Sequence, residues 1–177
     1  MTENADRGGD LMTEAYDSMA DTAAHKMRVR SLLEEIMGIL DYRACRHDDS
    51  KLREPEKSVF DQVTPKLKAM TYGSDEYKAS LAEMGEALKH HYAANRHHPE
   101  HSPRGVSGMT LVDLVEMFCD WAAATERHAD GDIFQSIARN QERFGMGEVL
   151  ADIMRNTARE YQMGAGCSTA PVKTVGK

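Results

Sequence analysis

The chain has 177 residues and carries 22 lysines and arginines against 29 aspartates and glutamates, a formal charge of −7. That length suits one domain with a core of its own, and 41% hydrophobic with 29% charged residues excludes a disordered polymer. No apolar run approaches the roughly 18 residues of a membrane span, and the acidic balance excludes broad binding to nucleic acid.

The start, MTENADRGGD, is polar and acidic with no apolar stretch, so no secretory signal is expected and residues 1–18 read as a flexible N-terminus. Cys45, Cys119 and Cys167 are odd in number and far apart, which argues against a disulfide framework and for a reducing cytoplasm. From about Asp21 to Arg46, Met27, Val29, Leu32, Leu33, Ile36, Ile39 and Leu40 recur at spacings of three and four, which predicts a helix. A shorter helix is predicted from near Pro55, with Pro65 interrupting or ending it. A third begins after Ser74, a suitable N-cap, and runs to His90-His91-Tyr92.

The segment NRHHPEHSPRGVSG, with Pro99, Pro103, Gly105 and Gly108, reads as a loop. Thr110 to Asp113 opens a fourth helix in the manner of a capping box and carries it to about His128. Two more helices fit Asp132–Phe144 and Gly147–Tyr161. No stretch alternates apolar and polar residues, so the expected fold is all-α: one bundle of about six helices over residues 19–163, followed by a flexible tail at 164–177.

The chemistry concentrates in a few places. There are eight histidines, and His90, His91, His97, His98 and His101 fall within twelve residues. His47-Asp48 places an imidazole beside a carboxylate, both able to bind a metal ion. His25 precedes that pair by 22 residues. Asp120 sits between Cys119 and Trp121 on an apolar helix, where a carboxylate must be paired or bound to metal. Asp113 and Glu116 share its stripe and read as a solvated face, while His101 and His128 read as surface residues and Cys45 and Cys119 as packing. P-loop, Rossmann and nucleophile-elbow motifs are missing.

In chain order His25, His47-Asp48 and Asp120 give H…HD…D, and here the sequence resembles the HD-domain superfamily of metal-dependent phosphohydrolases, all-helical proteins that hold metal with that set. HDDSK is similar to the HDxxK signature of several phosphodiesterase members. HHYAANRHHPEH supplies extra histidines of the kind that dinuclear members use. With EMFCDW, these segments also look like an uncharacterised family of small phage and bacterial proteins within that superfamily. The cyclic-dinucleotide branch is a poor fit, because the histidine pairs lie too close together and no GYP follows.

The resemblance implies a metal-dependent phosphohydrolase acting on a nucleotide or related phosphate ester, with one or two divalent ions of Mn, Fe, Co, Ni or Zn. The expected ligands are His25, His47, Asp48, His91, His97, His98 and Asp120, with His90 the alternative to His91. Asp48 would bridge two metals. Lys51 would offset phosphate charge, Glu54 or Glu56 would orient the attacking water, and Arg28, Arg43, Arg46 and Arg53 would recognise phosphate. A homodimer is compatible with this reading; duplex nucleic acid and membrane are not expected partners. Two alternatives stand beside it: a dinuclear-iron oxygenase with the same ligand set, and a non-catalytic nucleotide- or partner-binding protein.

Overall fold

The structure is a computed structural model, which describes residues 16–68, 70, 74–127 and 131–165. The readings made for residues 1–15, for His128 and for Cys167 lie outside that range. Among the described residues the fold is all-α, as expected, with seven α-helices and three short 3₁₀ turns. The helices are α1 (Met19–Arg46), α2 (Lys57–Lys68), α3 (Asp75–Glu83), α4 (Gly85–Ala94), α5 (Leu111–Thr125), α6 (Ile133–Phe144) and α7 (Glu148–Ala165). No helix among the described residues is long and apolar enough to cross a membrane.

The chain divides into two units, residues 1–38 and residues 39–177. In the second unit α5, α6 and α7 pack together around Met117, Trp121, Ile133, Ile137, Met146, Ala151, Met154 and Ala158. Trp121 and Phe144 stack in parallel with ring centroids 6.4 Å apart. Fully burying side chains of this size stabilises by about 1.5–3 kcal/mol each, which makes this three-helix layer the main source of fold energy.

Local signals set most boundaries. Ser74 caps α3 by accepting the Tyr77 N–H at 3.1 Å, and Asp132 caps α6 by accepting that of Phe134 at 2.8 Å. Thr110 and Asp113 complete a capping box at the start of α5. Gly145, at φ 60°, closes α6 in the left-handed conformation that glycine adopts without strain.

Two expectations on boundaries change. The single helix predicted from Ser74 to Tyr92 is two helices, because Gly85 takes φ 45° and breaks the run between α3 and α4. Pro65 neither ends nor interrupts α2, which runs through it to Lys68; the ring only removes one donor within the helix.

Candidate metal centre

Three segments of the second unit converge on one polar basin. The first is the exit of α1. Asp48 adopts φ 59°, ψ 17°, the left-handed region that aspartate tolerates better than most residues, and caps a 3₁₀ turn at Asp49–Leu52. On a continuing helix neighbours diverge by about 100°; the reversal at Asp48 lets His47 and Asp48 face the same basin. Their nearest side-chain atoms, Nε2 and Oδ2, are 3.6 Å apart.

The second segment is the end of α4 with the loop behind it. His91 is buried on the last turn of α4, Asn95 ends that helix in extended conformation, and the loop then presents His97 and His98. The third is α5, whose Asp113, Glu116 and Asp120 follow at intervals of three and four and therefore share a face.

Two groups of potential ligands result. Asp48, His91, His97 and His98 each offer one atom within 4.8 Å of the others, and His47, His97 and Asp120 do the same. His91 Nε2 lies 2.9 Å from His98 Nε2 and 3.4 Å from Asp48 Oδ1. His97 Nε2 is 3.6 Å from the same Asp48 oxygen, and His47 Nε2 is 3.5 Å from Asp120 Oδ1. Two atoms bound to one ion at about 2.0–2.1 Å, at right or tetrahedral angles, stand about 2.9–3.4 Å apart. Two of these separations, 2.9 and 3.4 Å, fall in that range, and the other two, 3.5 and 3.6 Å, lie just above it. Asp48 Oδ1 and His97 Nε2 are buried without a hydrogen-bond partner, a costly arrangement that a cation between them would relieve.

Behind the ligands stands a layer of carboxylates. Glu116 Oε1 lies 2.9 Å from His47 Nδ1 and 3.1 Å from His97 Nδ1, so one oxygen can accept from both rings and leave the His97 Nε2 lone pair facing the basin. Glu56, with no exposed surface, accepts from His91 Nδ1 at 3.0 Å and from Ser50 Oγ at 2.9 Å. Arg43 ties the layer together, reaching Glu116 at 2.5 Å and Asp113 at 2.9 Å, while Arg96 reaches both oxygens of Asp113 at 3.1 Å.

Proton affinities follow from these contacts. Burial pushes His98 down to about 3, reinforced by the neighbouring His97 and His91, and burial also lowers His91, with Lys51 adding to it. Both rings are therefore neutral, the state that binds metal. His47 is the exception: its hydrogen bond to Asp120 and then that to Glu116 raise it to about 10 against the opposing effect of burial. Burial alone would raise Asp48, Asp120 and Glu116. Lys51 overrides it at Asp48, and the histidine contacts override it at the other two, bringing Glu116 down to about 2.

The structure brings together six of the seven expected ligands. His25 is the one it does not; it lies exposed near the start of α1 and belongs to neither group. Between the two alternatives His91 enters the basin, whereas His90 is half-exposed and donates to Glu56 Oε1 at 2.7 Å. Lys51 Nζ is 2.6 Å from Asp48 Oδ2 and lies over the ring of Phe60. Glu56 is sealed among side chains, where it orients histidines and has no access to water. Asp113 and Glu116 are not a solvated face, since Asp113 is 2% exposed and both are engaged by arginine. Arg43 is committed to those carboxylates, so it is not a free phosphate clamp, and Arg28 lies exposed on α1 in the first unit. Cys45 and Cys119 are exposed thiols and do not pack in the core. His101 is the surface residue expected, bonded to the Ala93 carbonyl at 2.7 Å.

No curated protein and no solved structure matches the chain. A family model does match, over residues 14–161, and the region it covers includes every residue of the basin. The chain belongs to the family of unknown function DUF5662.

Proposed function

We propose that the protein is a metal-dependent phosphohydrolase of the HD-domain type, acting on a nucleotide or a related phosphate ester. The observation that carries this reading is the pair of adjoining ligand groups around Asp48, His97 and Asp120, with two buried acceptors that lack a protein partner. A divalent ion held there supplies Lewis acidity and lowers the pKa of water toward neutrality. The ring-rich donor set suits Mn, Fe, Co, Ni or Zn better than Mg or Ca, which prefer all-oxygen sites.

The chain's own residues divide the work. Asp48, His91, His97 and His98 hold one position; His47 and Asp120, with the second oxygen of Asp48, flank the next. Glu116 and Glu56 fix the ring tautomers and the directions of the lone pairs. Lys51 now neutralises Asp48; with that charge taken up by a cation, its ammonium is free to meet a phosphate oxygen at the mouth of the basin. The resemblance is incomplete at one point, because His25 stands outside the groups and the histidines after α4 supply the imidazoles instead.

The deciding experiment loads the protein with each of the five metals, measures stoichiometry, and screens nucleoside mono-, di- and triphosphates for phosphate release. Metal-dependent release that disappears in Asp48→Ala supports the reading. Stable metal with no turnover on any phosphate, accompanied by O₂ consumption with iron, would replace hydrolysis by oxygen chemistry.

A further inference from the structure

Helix α1 buries none of its 28 residues, and nine of its large hydrophobic side chains are exposed. Val29, Leu32, Ile36 and Ile39 follow at spacings of three, four and three, the a/d seam of a helix pair, and Leu33 widens the same face. These five side chains are 41–54% exposed. A helix gains most of its stability from packing an apolar face, and among the described residues nothing buries this one, so it calls for a partner.

We propose that this face is covered by α1 of a second copy of the chain, related by a two-fold axis and running antiparallel. Size is one argument. The stripe with its neighbour Met37 offers on the order of 500 Å² of apolar surface, close to the apolar share of the roughly 800 Å² that each partner gives to a standard dimer. Charge is the other. One rim of the stripe carries Asp21, Arg28 and Glu35 at intervals of seven, alternating in sign. In an antiparallel pair the same rim meets itself, and Arg28 faces Glu35 of the other copy in the register that lays the two stripes on each other. Within one chain Arg28 reaches Ser31 Oγ at 3.3 Å and Glu35 at 3.4 Å, both well exposed and of little worth alone. An anionic lipid surface would meet acids along this rim, so the second copy is the better fit.

The experiment is sedimentation equilibrium on the full chain. The wild type should sediment at twice the chain mass. Leu32→Glu combined with Ile36→Glu should raise the dimer Kd by at least about 100-fold. Because that variant places two charges on the helix, a charge swap gives an independent reading: Arg28→Glu should weaken the dimer and Arg28→Glu with Glu35→Arg should restore it. A wild type that stays monomeric at its highest soluble concentration overturns the proposal, whether or not it binds anionic vesicles. So does a dimer that survives the double glutamate substitution.

Discussion

Asp48 Oδ1 and His97 Nε2 lie 3.6 Å apart in the interior, and neither has a hydrogen-bond partner. With Glu116 fixing the Nδ1 proton of His97, two lone pairs face each other across that gap. Each unsatisfied acceptor costs about 1–3 kcal/mol, a cost that folding alone gives no reason to keep.

Asp48→Asn and His97→Gln should therefore each abolish tight metal binding while leaving the helical core intact. The wild type at a metal concentration 100 times its Kd should gain about 2.7 kcal/mol of stability, and neither variant should respond. Thermal unfolding with and without metal checks this. An equal rise in Tm for wild type and both variants would place the metal elsewhere.

Glu116 is predicted to control metal affinity without touching the ion. It accepts from two rings at once and is held by Arg43. Glu116→Gln keeps the shape but removes the charge that strengthens both hydrogen bonds. Losing such a contact costs about 10–100-fold in metal affinity. Competition against a chromophoric chelator gives the number; an unchanged affinity would reduce Glu116 to a packing role.

The helices and the six side chains that cluster in the basin were legible in the sequence because their signals are local: apolar periodicity, capping residues, and a His-Asp pair at a helix end. The errors share one physical cause. Asp113 and Glu116 look like a solvated stripe because sequence spacing gives a face and not what covers it. Only the loop bearing Arg96 and His97 and the end of α1 bearing Arg43 bury them. The apolar neighbours that marked Asp120 also surround Glu116 and could have marked it. His25 lies in the first unit and is a member of neither group, and an order of residue types along the chain carries no information on whether its first member reaches the others. The choice between His90 and His91 depended on the helical phase of α4, which the break at Gly85 resets.

On the proposed phosphohydrolase reading, Lys51 should separate metal binding from chemistry. Its ammonium contacts Asp48 Oδ2, the oxygen turned away from His97, and it is about one-third exposed. Lys51→Met should leave metal stoichiometry unchanged and lower kcat by about 100-fold, the size of effect seen when one charge-stabilising donor is removed. Lys51→Arg should recover part of the loss. If metal content falls together with the rate in Lys51→Met, the lysine serves the ligands and not the phosphate.

On the proposed metal-binding reading, His47 should set the pH dependence of metal uptake. Asp120 and Glu116 hold its imidazole in the charged form up to about 10, against 6.5 for an unperturbed histidine. In the metal-free protein the raised value contributes stability that is complete below pH 6.5 and is lost as pH rises through 10. Glu116 acts at the other end: lowered to about 2 from 4.5, it contributes stability present above pH 4.5 and lost as pH falls through 2. A metal ion must take His47 neutral, so binding at neutral pH expels one proton. His91 and His98, already lowered, expel none. Metal affinity should therefore rise about tenfold per pH unit between pH 7 and 9. Calorimetric titration in buffers of different ionisation enthalpy should count close to one proton released per metal at the His47 position. A flat affinity across that range would mean that His47 keeps its proton and stands outside the metal's coordination.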